Sequence, residues 1–561
     1  MMREVSRRDV LKAGVSASLG VALYPVSRIQ PSPRFDLVIV NGNVLDGTGG
    51  RAMLLDLGII GDTIVAVGSI APEQGERTLD ATGSYVAPGF IDVHTHSDSS
   101  IFAYPSADSR VRQGITTEVT GNCGSSAAPL LGPSAEEFRA EVLRDHGIPV
   151  EWTGLDSYFE TLEKIGVSTN QAMLLGQGTL RENVVGLQNR SLSADELTSM
   201  QHAVEEGLDQ GAFGLSTGLE YTPGRYTPTG EIVTLGRLVA RRGGLYASHI
   251  RNEEANLLTA VHEAIQVGRD AGVRVEISHL KAAGRPNWAK QGAALDLIEA
   301  ARSDGVEVMA DAYPYTAYST GLTIYMPSWA MEGGWTQLAR RLEDSADRSR
   351  IREAYSSQIE VDPGSYDLIV IASTRSEKNR HLVGKNLAEI GVEWNLDPVD
   401  AALRLLLEEE GRVSIIGHGM SPENVELVLS HPLVMVGSDG SSMAPTGRAA
   451  ETRPHPRSYG TFARVLSHYC RERKLFDLPT AIKKMTSMAA DQVGLRDRGR
   501  IARGKKADVV VFDSTKVRDL ATFDDPHQYP VGVRYVIVNG ELVVNEGRHT
   551  GARPGTVLRR A

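Results

Sequence analysis

The sequence predicts an α/β protein built on a (β/α)8 barrel, with an insertion between strands 7 and 8 and a small β-sandwich domain formed by the N- and C-terminal segments. Three observations lead to this prediction. In the middle of the chain, short apolar runs alternate with amphipathic helical stretches, which is typical of parallel βα units. Segments rich in predicted β-strands and tight-turn dipeptides flank that region on both sides. With 561 residues, the chain is long enough for a large barrel with additions.

The β-rich text at the two ends has the same character. Near the N-terminus it runs from "FDLVIVNGNVLDGTG" to "GIIGDTIVAVG", with N-G, D-G and G-D turn signals between short strands. Near the C-terminus it returns in "ADVVVFD" and "VRYVIVNGELVVNEG". We therefore expect residues 34–87 and 496–555 to pair into one small β-sandwich domain around a barrel at 88–495.

Eight runs of the central region are predicted as barrel strands. They are "SYVAPGFIDVH", "GITTEVTGN", "QAMLLGQG", "AFGLSTG", "GLYASHI", "RVEISHL", "VEVMADAY" and "PLVMVGSD". Helical stretches such as "SADELTSMQHAVEEGLDQ" separate them. The interval between the seventh and eighth runs is long and contains extra strand-like text, so we expect an inserted subdomain at about 321–430.

Charge and cysteine content narrow the class of function. The formal net charge is −11, and no long basic run occurs beyond the N-terminus. This argues against nucleic acid or an anionic membrane surface as the main partner and favours a small-molecule substrate. The two cysteines, Cys123 and Cys470, are too few for a disulfide framework.

The first 33 residues differ from the rest of the chain. "SRRDVLK" precedes the small and apolar run "AGVSASLGVALYPV", and this pattern resembles a twin-arginine export signal. The run is shorter than the ~18 residues expected of a spanning helix, so we predict a removable signal, no stable membrane span in the mature protein, and export to the periplasm or outside the cell. Val10 stands where such signals usually have Phe, and a basic tail with two chance arginines is the alternative.

Side chains that can bind a metal stand at the carboxyl ends of five predicted strands. Active sites of (β/α)8 barrels gather at that end. His94 and His96, in "FIDVHTHSD", are two residues apart and would project the same way from strand 1. The other candidates are Cys123 after strand 2, His249 after strand 5, His279 after strand 6 and Asp439 after strand 8.

Imidazole and thiolate ligands favour zinc over magnesium or calcium, and six ligands would serve one or two ions. Taken singly, each residue has a simpler explanation as a buried histidine, a buried cysteine or a turn-forming aspartate. Their matching positions on independent strands favour a joint metal site. Cys470, His418 and His455 do not stand at the end of a predicted barrel strand and are interpreted as structural.

Several of these motifs carry a family resemblance. "PGFIDVHTHSD" and "GRIARGKKADVVVFD" resemble the amidohydrolase superfamily, which consists of metal-dependent hydrolases on (β/α)8 barrels, over about Phe35 to Arg548. "TEVTGNCGSSAAP", "ASHIRNE" and "ISHLKAAG" are similar to the D-aminoacylases, or N-acyl-D-amino-acid deacylases. Cys123 is the discriminating residue, because many other relatives use a carbamylated lysine on strand 4, where this sequence reads "AFGLSTG".

The resemblance implies a role for each candidate. It makes Cys123, His249 and His279 a tight zinc site. It makes His94, His96 and Asp439 a second, weaker metal site, with Asp439 also the general base and acid. Five residues match positions that hold the substrate carboxylate or polarise the scissile carbonyl: Tyr221, Lys281, Tyr313, Ser319 and Arg457. Arg251 is assigned no role.

The implied reaction is zinc-dependent hydrolysis of N-acyl-D-amino acids to a carboxylate and a free D-amino acid. A dipeptidase that releases a C-terminal D-residue, or another amidohydrolase, would use the same residues. Cyclic amides are less favoured, because Arg457 would have no carboxylate to bind. From another class, a metal-free binding protein on a hydrolase barrel is the remaining alternative. The preferred acyl group, the preferred side chain and the oligomeric state are not predicted.

Overall fold

A computed structural model of the protein describes residues 34–132, 134–359 and 364–560. The predicted export signal at 1–33 lies outside the described residues. Five strands come before the barrel: β1 (Phe35–Val44), β2 (Met53–Ile60), β3 (Thr63–Gly68), β4 (Gly75–Asp80) and β5 (Tyr85–Pro88). Seven barrel strands follow: β6 (Phe90–Asp92), β7 (Ile115–Thr120), β8 (Asn170–Gly176), β9 (Gly214–Gly218), β10 (Leu245–His249), β11 (Arg274–Ile277) and β12 (Val308–Ala312). The remaining strands are β13 (Tyr318–Gly321), β14 (Ile369–Thr374), β15 (Val413–Gly417), β16 (Val434–Val436), β17 (Val509–Phe512), β18 (Val533–Val538), β19 (Glu541–Asn545) and β20 (Arg548–His549).

The helices alternate with these strands. The first nine are α1 (Ser100–Ala103), α2 (Asp108–Val111), α3 (Ser134–His146), α4 (Leu155–Ile165), α5 (Gln177–Val185), α6 (Ala194–Asp209), α7 (Thr229–Arg241), α8 (Leu257–Ala271) and α9 (Gln291–Ser303). The next nine are α10 (Ser328–Met331), α11 (Gly334–Glu343), α12 (Ser345–Ile359), α13 (Leu387–Trp394), α14 (Pro398–Glu408), α15 (Pro422–Ser430), α16 (Arg457–Arg464), α17 (Leu478–Met485) and α18 (Ser487–Val493). A π-helical segment, Val465–Glu472, continues α16. None of the helices among the described residues combines the length and apolar character needed to cross a membrane.

The eight central strands form a parallel barrel, as predicted. Their order is β6, β7, β8, β9, β10, β11, β12, β16. Residues just beyond β6 and β16 close it: Thr95 pairs in parallel with Gly440, and the Asp439 N–H donates to the His94 carbonyl at 2.8 Å. The closing seam therefore brings two candidate ligands from opposite ends of the barrel sequence next to each other.

Successive side chains of a barrel strand point alternately into the barrel and toward the surrounding helices. Val275 and Ile277 of β11 belong to the large apolar core shared with the surrounding helices, so Glu276 between them faces inward. A second apolar cluster fills the inside of the barrel, with Val93, Leu174, Leu245 and other residues as members. The interior is thus mainly apolar.

Both ends of the chain build one small β-domain, which confirms that part of the predicted fold. Its strand order is β20, β19, β18, β17, β5, β1, β2, β3, with β4 parallel to β1. The antiparallel pairing of β17 with β5 joins the C-terminal to the N-terminal segment. Beyond this domain, the last residues return to the barrel, where the Leu558 N–H donates to the Gln171 carbonyl at 2.8 Å.

An insertion lies between β12 and β16, also as predicted. It contains the antiparallel sheet β13, β15, β14 and has an apolar core of its own, with members from Leu322 to Ile415. Helix α15 belongs instead to the barrel, because its Val428 and Leu429 are part of the barrel core. The bounds 34–87, 88–495, 321–430 and 496–555 stay predictions.

Candidate metal centre and substrate site

All six candidate ligands meet at the carboxyl end of the barrel. The six fall into two groups, and within each group the ligand atoms lie within 4.8 Å of one another. One group is His94, His96, Cys123 and Asp439, and the other is Cys123, His249 and His279. Cys123 belongs to both, so the two groups form one continuous cluster around its sulfur.

The ligand atoms face one another closely. Cys123 Sγ lies 3.3 Å from His94 Nε2 and 3.4 Å from His279 Nε2. His279 Nε2 is also 3.0 Å from His249 Nδ1, and His96 Nε2 is 2.9 Å from Asp439 Oδ1. Four ring nitrogens, one sulfur and one carboxylate thus converge. That donor set fits zinc, by the nature of its atoms and by their convergence.

Three of these residues have an unusual backbone conformation. Cys123, His279 and Asp439 have φ values of 51°, 35° and 51°, and each stands just beyond a barrel strand. Left-handed backbone at a residue other than glycine costs of order 1–3 kcal/mol and persists where the surrounding structure imposes it. Such residues cluster at functional sites, which agrees with the placement of these side chains.

Acidic side chains hold the other ring nitrogen of three of the histidines. The pairs are His94 Nδ1 with Asp311 Oδ2 at 3.2 Å, His249 Nε2 with Glu220 Oε2 at 3.2 Å, and His279 Nδ1 with Glu253 Oε1 at 2.9 Å. A carboxylate in this position fixes the tautomer and the orientation of a metal-binding histidine. All three rings are therefore oriented before any ion binds.

Sequence reasoning missed these three acids. Asp311 is the next-to-last residue of β12, in "VMADAY", and Glu220 follows β9 in "GLEYTPG". The criterion that found the ligands, a polar side chain at the end of a strand, would have found both. Glu253, four residues after His249, carried no such signal.

Electrostatics in the cluster favour the metal-binding form of the cysteine. Desolvation alone would raise the pKa of the Cys123 thiol, but the charges of His94 and His279 outweigh it and hold that pKa well below its usual value. Desolvation likewise opposes ionisation of Glu253, yet Lys281 and His279 lower its pKa to about 2. The thiolate and the carboxylate are thus the forms that the surroundings stabilise.

The five predicted substrate residues border cavities at this cluster. A cavity of about 390 Å³ is lined by Cys123, Tyr221, Ser319 and Arg457, among others. A neighbouring cavity of about 270 Å³ is lined by Tyr221, Lys281, Tyr313 and Ser319, among others. Asp439 borders both cavities. The structure therefore brings the predicted substrate residues and the predicted ligands to one place.

The predicted substrate residues differ in the partners that they have within the protein. Arg457 Nη1 lies 2.7 Å from Asp439 Oδ2, and its Nη2 donates to the Ser319 carbonyl at 3.3 Å. Lys281 Nζ is 2.5 Å from Glu253 Oε1. Among the described residues, none forms a hydrogen bond with the buried hydroxyl of Tyr313. That hydroxyl remains available to a substrate.

Other candidates lie outside the cluster. Arg251 donates to both Glu263 oxygens at 2.8 Å and to the Arg225 and Thr227 carbonyls at 3.0 and 2.9 Å, so it clamps neighbouring segments together. His455 lies behind Arg457, where its Nδ1 accepts from the Arg457 backbone N–H at 3.0 Å. Burial raises the pKa of the Cys470 thiol to about 11.

A parallel barrel with a histidine, cysteine and carboxylate cluster at its carboxyl end defines a metal-dependent hydrolase scaffold. Residues 77–544 match the profile of the amidohydrolase family. The chain is 37% identical to the N-acyl-D-glutamate deacylase of Alcaligenes xylosoxydans xylosoxydans, over 94% of this chain and 97% of that protein. It belongs to the amidohydrolase family and, within it, to the D-aminoacylase branch.

Two solved structures of this branch resemble it throughout. The N-acyl-D-glutamate deacylase of Bordetella bronchiseptica, complexed with zinc and a phosphonate that mimics the tetrahedral intermediate, is 35% identical, with a TM-score of 0.80 over 94% of this chain and 100% of that one. A D-aminoacylase with a binuclear metal centre, activated by one metal and attenuated by the second, is 33% identical, with a TM-score of 0.78 over the same shares. These comparisons confirm the resemblance predicted from the sequence.

Proposed function

We propose that the protein hydrolyses the amide bond of N-acyl-D-amino acids and releases a carboxylate and a free D-amino acid. The observation that carries this proposal is the cluster around Cys123, which borders the same cavity as Arg457 and Tyr221. The relatives named above act on substrates of this class, and they match this chain over nearly its whole described length.

Two metal positions are proposed within the cluster. Cys123, His249 and His279 would hold a tight zinc ion. His94, His96 and Asp439 would form a weaker position that shares Cys123. When bound, zinc supplies the Lewis acidity that polarises an amide carbonyl and makes water a better nucleophile at neutral pH.

Asp439 is the proposed general base and acid. Its Oδ1 faces His96 and its Oδ2 faces Arg457, so the carboxylate is oriented by a partner on each oxygen. It would accept a proton from the attacking water and deliver it to the departing nitrogen, which requires hydrogen-bond reach of both atoms. Its place on the border of both cavities supports that double role.

Arg457 and Tyr313 are proposed to recognise substrate. A guanidinium can bind a carboxylate through two parallel hydrogen bonds, which fixes the orientation of the D-amino acid. The hydroxyl of Tyr313 would donate to the oxyanion that develops on the scissile carbonyl. Lys281, whose ammonium lies 5.6 Å from the centre of the Tyr313 ring, and Arg457, at 5.1 Å, add positive charge around that hydroxyl.

A polar side chain is proposed for the preferred substrate. A cavity of about 550 Å³ extends outward from Asp439 and Arg457 between the barrel and the insertion. The insertion supplies one wall with hydroxyl and guanidinium groups: Ser373, Thr374, Arg375, Arg412 and Ser414. Such a wall favours polar or acidic side chains over large apolar ones. N-acetyl-D-glutamate should then have a higher kcat/KM than N-acetyl-D-leucine, and the reverse preference would contradict this assignment.

The central test is a paired assay of N-acetyl-D- and N-acetyl-L-amino acids over several side-chain types, with zinc quantified in the same purified sample. We expect turnover of D-substrates and at least one zinc ion per chain. A dipeptide with a C-terminal D-residue belongs in the panel, because it uses the same contacts. Zinc-loaded protein that cleaves other amides but no N-acyl-D-amino acid would refute the proposal.

Export is a separate proposal, supported by "SRRDVLK" and the apolar run that follows it. Replacing Arg7 and Arg8 together by lysine should leave the protein in the cytoplasm and unprocessed, whereas the unaltered chain should reach the periplasm or the outside of the cell. Cell fractionation with blotting measures this. Equal distribution of both chains would instead identify the segment as a basic tail.

A further inference from the structure

Arg110 is a fully buried arginine for which the reaction above has no use. It lies in α2, and its side chain is 0% exposed. Asp92, the last residue of β6, is equally buried and accepts a hydrogen bond from Arg110 Nη2 on Oδ2. Ile91 and Val93, on either side of Asp92, belong to the apolar cluster inside the barrel, so Asp92 points outward, toward α2. The other partners of the buried pair show which parts of the site it connects.

One arm of the guanidinium reaches the segment that carries Asp439. Arg110 Nη2 also donates to Ser438 Oγ at 2.7 Å, and Asp92 Oδ1 accepts the Ser438 backbone N–H at 2.8 Å. Ser438 Oγ accepts the Gly440 N–H as well, at 3.0 Å, so two donors occupy the acceptor sites of this hydroxyl. The residues on both sides of Asp439 are thereby held by the buried pair.

The backbone conformation of Asp439 depends on contacts of this kind. Its φ of 51° is left-handed, which is costly for a residue other than glycine. Such a conformation persists only where the surrounding contacts impose it. The hydrogen bonds to Ser438 and Gly440 are contacts of that kind, and the segment packs directly on the guanidinium, since a Cβ at Gly440 would lie 3.0 Å from Arg110 Nη1.

The other arm of the guanidinium reaches the helix that begins with Arg457. Arg110 Nη1 donates to the Ser458 carbonyl at 3.3 Å. Ser458 Oγ accepts the Ser441 N–H at 3.1 Å, which ties α16 to the segment after Asp439. Arg110 thus contacts both of the segments whose side chains meet where Arg457 Nη1 lies 2.7 Å from Asp439 Oδ2.

We propose that Arg110 is a positioning residue: its guanidinium holds the backbone segments that present Asp439 and Arg457 to the substrate cavities. Arg110 itself borders none of the three cavities described above, and it acts through Asp92 and Ser438. A planar guanidinium suits this task, because it donates in several fixed directions at once, which an ammonium on a flexible stem does not. The inference rests on the proposed function, since that function assigns proton transfer to Asp439 and carboxylate binding to Arg457.

Arg110→Lys tests the proposal, with Arg181→Lys as the matched control. Lysine keeps a positive charge beside Asp92 but lacks the fork that reaches both segments. Arg181 is also 0% exposed, and its Nη1 lies 2.9 Å from Glu231 Oε2, yet it borders none of the three cavities. We expect Arg110→Lys to lower kcat/KM by about 100-fold, the scale of a misplacement of about 1 Å, through a lower kcat and a higher KM. Arg181→Lys should leave both constants unchanged.

Ser438→Ala isolates the arm toward Asp439 and leaves the buried charges paired. It should lower kcat by about 10-fold, the scale set by one lost hydrogen bond, without a change in KM or in the tightly bound zinc ion. Ser467→Ala is the control, at another buried serine, whose Oγ donates to the Ala463 carbonyl at 2.8 Å. It should change neither constant. If Arg110→Lys does not fold, the comparison of these two serine variants decides the question.

Amide hydrogen exchange tests the positioning without substrate. In Arg110→Lys, exchange should become faster at 436–442 and 456–460 and stay unchanged in β10 and β11, which lie away from the buried pair. Wild-type kinetics in Arg110→Lys, an equal loss of kcat/KM in Arg181→Lys, an unchanged kcat in Ser438→Ala, or unchanged exchange at the two segments would each overturn the inference. A wild-type protein that hydrolyses no N-acyl-D-amino acid would refute the proposed function alone, because the exchange comparison needs no substrate.

Discussion

The two halves of the candidate metal cluster differ in how far their ligands are exposed. In the half with His249 and His279, both side chains are nearly inaccessible, at 4% and 2% exposure, and a glutamate orients each ring. In the other half, the His96 side chain is 32% exposed, and its ring faces Asp439, which Arg457 also contacts. Both histidines of the first half are thus held in place, whereas the second half has one histidine, His96, that borders the cavity of about 390 Å³.

The largest effect is expected from the residue that both halves share. Cys123→Ala should abolish binding of the tight zinc ion and reduce activity below detection, because losing even an orienting group costs about 10–100-fold in affinity. Metal analysis and an assay with N-acetyl-D-amino acids measure both effects. Cys470→Ala is the matched control and should change neither. Intact zinc content in Cys123→Ala would make this cysteine structural.

The second-largest effect is expected on kcat, without loss of the tightly bound zinc ion. Asp439→Asn removes the proposed proton carrier, so kcat should fall by about 10²–10⁴-fold while one zinc ion per chain remains. Asp145→Asn, at another acid that lines the outer cavity, should leave kcat unchanged. A normal kcat in Asp439→Asn would assign the proton transfer to another group.

The orienting acids of the firm half should have intermediate effects. Glu220→Gln and Glu253→Gln should each weaken zinc binding by about 10–100-fold. Only Glu253→Gln should also raise KM, because Glu253 holds Lys281 at 2.5 Å. Glu254→Gln is the neighbouring control, since this residue lines the same cavity. Equal effects of all three substitutions would mean that negative charge near the cluster affects zinc binding, and that contact with the histidines does not.

The smallest effect is expected in the open half. His96→Asn should lower occupancy of the second metal position and leave one zinc ion bound, with a smaller loss of activity than in any variant above. Zinc titration followed by steady-state kinetics would detect it. Complete loss of zinc from His96→Asn would remove the proposed distinction between the two halves.

The candidate ligands could be predicted from the sequence, whereas the pairing of each orienting acid with its histidine could not. His94, His96, Cys123, His249 and His279 stand at or just beyond strand ends, and the barrel rule places all strand ends on one face, so local pattern was sufficient. Orientation depends on pairs far apart in the chain, such as His94 and Asp311, which are separated by 217 positions. Nothing in local periodicity relates two such residues.

Arg251 and Glu276 also show that the sequence does not reveal the partners of a side chain. Arg251 stands beside a candidate ligand, yet its guanidinium is fully used by Glu263 and by backbone carbonyls. Glu276 lies in the strand that precedes His279, yet both of its carboxyl oxygens are buried without a hydrogen-bond partner among the described residues. In both cases the decisive quantity is which partners surround the side chain.

By itself, the sequence determined the barrel, the small domain built from both chain ends, the insertion, and the set of candidate metal ligands. These follow from alternation, strand-end position and residue chemistry, which are local properties. Only the tertiary structure decided that Cys123 lies in both ligand groups and that three carboxylates orient the histidines. Those features arise when the barrel closes and brings distant strands within hydrogen-bonding distance.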